Sequence, residues 1–263
     1  MRGFGWLLFY ASLATSACAA GPRSAPPRRS EARAELVAVV RSPSIAGDVP
    51  PELFVRCDDA GTCPSAVGML VVDEGESQEP ERCTATLIAP DRILTASHCL
   101  AASTRHTGAA CSRTWIAFPD SKDARAEWVA CDRVELAAPL LDESALHQEY
   151  AVLRLVRSVA RAPLALDGSP PAPGSIVTVA SITPHPIYGT THLLTTRLCR
   201  AIGSEPAVAA LGAGAAEVGW LAHCPIARGN SGSPVLDYDH KVRAIVHGGT
   251  SSSSAFGVTS SFP

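Results

Sequence analysis

Lysine is almost missing from this chain. Lys122 and Lys241 are the only two, and the arginines are scattered rather than clustered. With a formal net charge of −3 as well, no polyanion partner is expected, nucleic acid included. No C-x-x-C pair occurs among the nine cysteines, which argues against a structural zinc site, and no metal or cofactor is expected. Beyond Phe4 to Leu13 no apolar stretch stands out, and that one is too short to span a bilayer. Long helical periodicity is weak, and no internal repeat is convincing. Asparagine occurs once, as Asn230.

What is present begins with an export signal. Arg2 gives a positive start, Phe4 to Leu13 an apolar stretch, and Ala17-Cys18-Ala19-Ala20 a run of small residues fit for cleavage. Residues 1–20 are therefore read as a signal peptide. Cys18 after Ser16-Ala17 is also a candidate lipoprotein cleavage site, so membrane attachment is expected only through a lipid there. Thr15 stands where such sites usually have Leu, which favours simple secretion. Residues 21–50, rich in Pro, Arg, Ser and Ala, read as a flexible linker or pro-segment. Removing Cys18 leaves an even number of cysteines, which suits disulfides in an oxidising compartment. The expected location is secreted, periplasmic or cell-envelope.

At 263 residues and 46% hydrophobic, the chain can build one two-lobed domain or two small ones. The remainder is short apolar runs separated by turns. Val67–Val72, Thr84–Ile88, Trp115–Phe118, Trp128–Leu136 and Tyr150–Val156 read as strands of a first unit. Ser175–Ile182, Leu193–Ile202, Val218–His223, Pro234–Leu236, Val242–Val246 and Phe256–Thr259 follow as a second. Asp237 to His240 reads as a hairpin tip. The stretch Leu155 to Pro173, with its prolines, separates the sets. The expected class is all-β, with residues 51–160 and 161–263 as the two units.

Two segments carry chemistry. In Gly229-Asn230-Ser231-Gly232-Ser233-Pro234, glycines flank a serine, allow unusual backbone angles and leave its approach clear. The N–H groups of Gly229 and Ser231 are candidate donors to an oxyanion. The bland alternative is a Gly-Ser loop. In Thr95-Ala96-Ser97-His98-Cys99, a histidine with an ordinary pKa near ~6.5 could serve as the base that a serine hydroxyl needs. By itself His98 reads better as a buried structural residue. Cys99 could tie this turn to Cys83, closing a loop worth about 3 kcal/mol.

Together, Cys83-Thr84-Ala85-Thr86-Leu87-Ile88, Ile93 to Cys99 and Gly229 to Pro234 resemble the histidine and serine motifs of trypsin-like serine peptidases, in order and rough spacing. The resemblance spans about residues 62–260. It implies two six-stranded antiparallel β-barrels of chymotrypsin type with the active site between them. It further implies His98 as general base, Ser231 as nucleophile, Gly229 and Ser231 as the oxyanion hole, and a monomer acting on a protein or peptide. Glu149-Tyr150-Ala151-Val152-Leu153-Arg154-Leu155 resembles the family strand that opens with the catalytic aspartate. Here that position holds Glu149, one methylene longer. It is the expected third member of the triad, with a surface residue and Asp142 as the alternatives.

Other departures follow. Asn230 stands where the family usually has the aspartate that pairs with a new N-terminal amine, and no Arg-Ile-Val-Gly-Gly start exists. That activation switch is not expected. Gly-Asn-Ser-Gly-Ser-Pro is instead similar to the bacterial glutamyl-endopeptidase-like branch. Pro225 stands six residues before Ser231, where trypsin has an acidic pocket residue, so preference for Lys or Arg is disfavoured. His247 and Gly249 fall on the strand that would line the pocket. His247 is displaced by one residue from the histidine that binds substrate carboxylates in glutamyl endopeptidases, and reads equally as structural. The expected disulfides are Cys83–Cys99, Cys199–Cys224, Cys111–Cys131 and Cys57–Cys63, one choice among the many that eight cysteines allow. The rival reading, prompted by Glu149, is a catalytically impaired homologue acting as a binding protein.

Overall fold

The computed structural model describes residues 53–55, 63–73, 80–119, 126–137, 149–184, 192–202, 219–249 and 256–260. The signal and linker segments, Cys18, Cys57 and Asp142 lie outside the described residues. Among the described residues no helix is long and apolar enough to cross a membrane.

Among the described residues, all regular elements apart from two short 3-10 turns are strands. Strands β2 (Val67–Val72), β3 (Glu81–Ala89), β4 (Arg92–Thr95), β5 (Thr114–Pro119), β6 (Ala126–Ala137) and β7 (Ala151–Leu155) close an antiparallel barrel in the order β2-β3-β4-β7-β6-β5. A second set follows: β8 (Ile176–Pro184), β9 (His192–Ile202), β10 (Gly219–Ala222), β11 (Pro234–Leu236), β12 (Val242–Gly249) and β13 (Phe256–Ser260). They run β9-β10-β13-β12-β11-β8, and a β9–β8 pairing joins the two ends. This is the chymotrypsin-type two-barrel fold that the motifs imply. β11 and β12 form the hairpin expected around residues 237–240, where Asp237 Oδ1 accepts from the Asp239 and Lys241 N–H groups at 2.9 Å each.

Two strands escape sequence reasoning. β4 has only four residues, too few to display a period, and was read only as part of the histidine motif. β1 (Leu53–Val55) falls within the stretch assigned to the first unit, yet pairs in parallel with β9 of the second sheet.

Burial explains the sequence of β2. Its six residues Val-Gly-Met-Leu-Val-Val are all buried, where a half-exposed strand would alternate. Leu70 and Val72 face the core of the first barrel. Val67, Met69 and Val71 pack with Ala117 of β5, Ala180 and Ile182 of β8 and Leu194 of β9. A shared apolar layer thus joins the two barrels. β7, by contrast, alternates buried Ala151, Leu153 and Leu155 with half-exposed Val152 and Arg154.

Candidate active site

β4 delivers the chain to the seam between the barrels, and a 3-10 turn, Ser97–Cys99, presents His98 there. The turn is fastened from three sides. Cys99 is bridged to Cys83 of β3, with Cα atoms 6.1 Å apart. Arg105 Nη2 donates to the carbonyls of His98 and Leu100 at 2.9 and 2.6 Å. Glu149, just ahead of β7, accepts at both carboxylate oxygens. Oε1 takes the Ser97 hydroxyl at 2.8 Å and the His98 N–H at 2.9 Å, while Oε2 lies 2.5 Å from His98 Nδ1.

Glu149 is 3% exposed. Burial alone would push its pKa up, but the bonds and charge of His98, the Ser97 hydroxyl and His247 outweigh it, and the pKa is lowered from the usual carboxylate value. The carboxylate is therefore ionised at neutral pH. Accepting from Nδ1, it fixes the imidazole tautomer that leaves Nε2 free to take a proton.

The serine loop joins β10 to β11. Gly229 and Gly232 both adopt positive φ, +94° and +84°, which side chains rarely tolerate. A Cβ on Gly232 would lie 2.0 Å from the Thr84 carbonyl oxygen and 3.1 Å from the Ala96 nitrogen. The loop is thus pressed backbone to backbone against the segment that carries His98. Thr84 N–H donates to the Ser231 carbonyl at 2.8 Å across the seam.

Asn230 is fully buried. Its Oδ1 accepts from the Ala227 N–H at 2.9 Å and its Nδ2 donates to the Ile182 carbonyl at 2.8 Å. An ionised aspartate could accept but could not make the second bond, which gives the chain's single asparagine a physical reason.

The loop's N–H groups divide into two kinds. Those of Asn230, Gly232 and Ser233 donate to Ala227, Val246 and Asn230 carbonyls. Among the described residues, those of Gly229 and Ser231 donate to no protein acceptor. Ser231 Oγ and His98 likewise share no hydrogen bond. Catalytic hydrogen bonds of this type are commonly long and tighten only in the substrate complex.

The residues assigned to the pocket are placed less uniformly. Pro225 is exposed, and its carbonyl accepts from the Arg197 guanidinium. Gly249 ends β12 opposite Gly257 of β13. His247 is directed at the Glu149 carboxylate: its Nδ1 is 4.0 Å from Glu149 Oε2, its side chain is 6% exposed, and its Nε2 is buried without a partner. Burial, against the pull of Glu149, lowers its pKa to about 4, so it is neutral at pH 7. Among the described residues, Cys83, His98 and Cys99 are close enough together to hold a metal ion, but both sulfurs are spent in a disulfide.

Two further expected bridges, Cys111–Cys131 and Cys199–Cys224, are present with Cα separations of 5.4 and 5.2 Å. Cys63 is disulfide-bonded, while its expected partner Cys57 is outside the described residues. Sequence reasoning missed Ser97 and Arg105. Ser97 stood inside the motif, next to His98, and could have been found as a hydroxyl within reach of any carboxylate that reaches the histidine. No local signal marks Arg105.

Two β-barrels with a carboxylate–histidine pair set against a glycine-flanked serine define a class, the chymotrypsin-fold peptidases and their homologues. The sequence profile of the trypsin-like peptidase domain matches residues 83–245, and the chain belongs to that family. No curated protein matches the sequence. Among solved structures, the chain is similar to a thermostable serine protease, AL20, from an extremophilic microorganism. The TM-score is 0.55 at 14% identity, covering 76% of this chain and 92% of that one, which supports the fold.

Proposed function

We propose that this protein is a serine endopeptidase that hydrolyses protein or peptide substrates through an acyl-enzyme. Ser231 Oγ attacks the scissile carbonyl, His98 Nε2 takes its proton, and the tetrahedral oxyanion is held by the N–H groups of Gly229 and Ser231. Glu149 keeps the imidazole in the required tautomer and stabilises the imidazolium. His98 then protonates the leaving amine, and water releases the acyl group by the same steps in reverse order.

The observation that carries this reading is the double engagement of Glu149, with Oε2 on His98 Nδ1 and Oε1 on the His98 N–H. The binding-protein alternative drew its support from Glu149 as a lost aspartate, and these contacts weigh against it. Pro225 brings no negative charge, so cleavage after Lys or Arg is not expected. The disulfides fit an extracellular or cell-envelope location.

The test is a fluorophosphonate probe on the purified protein. Wild type is expected to label and Ser231→Ala not to. A folded wild type that neither labels nor cleaves any member of a peptide library would overturn the proposal. Cleavage mainly after basic residues in that library would refute the specificity part alone.

A further inference from the structure

We infer that Thr84 is the positioning residue of the oxyanion hole, acting through the carbonyl of Gly229. This rests on the peptidase reading above and adds to it a residue that touches neither substrate nor reacting atoms.

Thr84 lies on β3 of the first barrel, is completely buried, and faces the serine loop of the second. Its hydroxyl accepts from the Ile182 N–H of β8 at 3.0 Å and donates to the Gly229 carbonyl at 2.8 Å. The proton assignment is forced. An amide N–H can only donate, so Oγ must accept there, and the single hydroxyl proton is left for Gly229. A third contact, from the Thr84 N–H to the Ser231 carbonyl at 2.8 Å, uses the backbone of the same residue. Thr84 therefore holds the carbonyls of both residues whose N–H groups are proposed to bind the oxyanion.

Gly229 needs such a hold. At φ +94°, with no Cβ, its backbone has the whole glycine map open to it, so its own sterics do not fix where its N–H points. Its N–H has no protein acceptor either. What remains is the peptide that follows it, whose carbonyl is seated on the Thr84 hydroxyl and whose N–H donates to the Ala227 carbonyl. Asn230 grips the other side of Ile182 by donating to its carbonyl. Both polar backbone groups of Ile182 are therefore engaged by the machinery that sets the loop. Thr84 itself is held in place, since its carbonyl accepts the Thr95 hydroxyl at 2.8 Å. Its neighbour Cys83 is bonded to Cys99, beside His98. Adjacent residues of one strand thus hold the base by a covalent bond and the oxyanion donors by hydrogen bonds.

The decisive variant is Thr84→Val, which keeps the shape and removes the hydroxyl. With a peptide that wild type cleaves, kcat is expected to fall about 10- to 100-fold, with KM within about threefold, because the donors matter mainly in the transition state. Affinity for a peptide aldehyde, whose adduct places an oxyanion in the hole, should weaken in parallel with kcat/KM, while affinity for the corresponding product peptide stays within about threefold. Loss of stability alone would not split these two affinities. Thr84→Ser, which retains the hydroxyl, should stay within about threefold of wild type in kcat.

A folded Thr84→Val with kcat or aldehyde affinity within about threefold of wild type overturns the inference. If Thr84→Val does not fold, Thr84→Ser decides: a folded serine variant that loses more than about threefold assigns the role to the methyl group and overturns it as well. Wild type that neither labels with the fluorophosphonate nor cleaves peptides overturns the peptidase reading, and this inference with it.

Discussion

The segments that carry His98 and Ser231 pack against one another at the seam but are held by different kinds of force. His98 sits on a short turn positioned from outside by a disulfide, a guanidinium on two carbonyls and a buried carboxylate. Ser231 sits on a loop with two positive-φ glycines and a buried asparagine between them, held by uncharged hydrogen bonds to Thr84, Ile182 and Val246. The contrast follows from what the proposed mechanism asks of each residue. The base must be electrically tuned, which needs a charged partner. The nucleophile's loop must offer bare N–H groups, which needs a backbone that bonds everywhere except there. Charge changes should therefore damage the histidine side, and changes of shape or hydrogen-bond polarity the serine side.

The largest expected effect tests the charge on the histidine side. Glu149→Gln keeps size and packing but cannot hold an imidazolium, and turnover should drop by up to about 10⁴-fold, as for the equivalent change in the serine-protease triad. Tm should change far less than activity. Glu149→Asp tests the length: the carboxylate now reaches both Nδ1 and a backbone N–H, so shortening it should lower kcat. Glu149→Gln within about threefold of wild type would show that the carboxylate does not orient His98.

The disulfide comes next. Replacing Cys83 and Cys99 together by serine opens a loop with a sequence separation of 16. It should cost about 3 kcal/mol of stability. Activity at low temperature should fall less than for Glu149→Gln, because Glu149 and Arg105 still hold the turn. Thermal unfolding monitored beside kcat separates the two. An unchanged Tm would contradict the covalent tether's role.

On the serine side, Asn230→Asp inverts one bond. A carboxylate would face the Ile182 carbonyl with no proton to give, leaving a buried acceptor pair unsatisfied at about 1–3 kcal/mol. This raises the folded-state pKa of the new acid. The variant's deficit relative to wild type should therefore be full at neutral pH and shrink as pH falls through that raised pKa, where the protonated acid can donate again. Equal Tm deficits at pH 7.5 and 5 would contradict the bond polarity read here.

The smallest effect at neutral pH lies away from both loops. His192 of β9 is buried with Nδ1 unpartnered, and burial, aided by the Arg82 charge, lowers its pKa to about 4, as it does for His247. The unfolded chain takes up these protons near pH ~6.5, while the folded chain refuses them until about 4. The stability they contribute is complete above the unfolded value and is lost as pH falls across that window. Glu149, with its lowered pKa, adds a loss in the same direction at the acid end. Tm should fall between pH 6.5 and 4, and His192→Gln should flatten that fall by at least about 2 °C. An identical slope in the variant would show that His192 does not titrate with unfolding.

Much of this was legible in the chain alone, for a physical reason. Short β-prone runs bounded by turns, glycines around a serine and a histidine followed by cysteine are local features, so they are written locally: Val67–Val72, Ala151–Leu155 and Gly229–Pro234 need no neighbours to be recognised. Glu149 could be suspected from its place at the head of a strand, but whether its carboxylate reaches His98 depended on the pairing of segments 51 positions apart. Folding alone settled that, by pairing β4 with β7 so that Thr95 and Ala151 are opposite. The direction of His247 was likewise open, because a one-residue offset on a strand reverses a side chain. Packing turned it to Glu149 and desolvated it. Thr84 is the clearest case. In the sequence it is one threonine in an apolar strand, and only the docking of the second barrel, which brings Gly229 and Ile182 to its hydroxyl, gives it work.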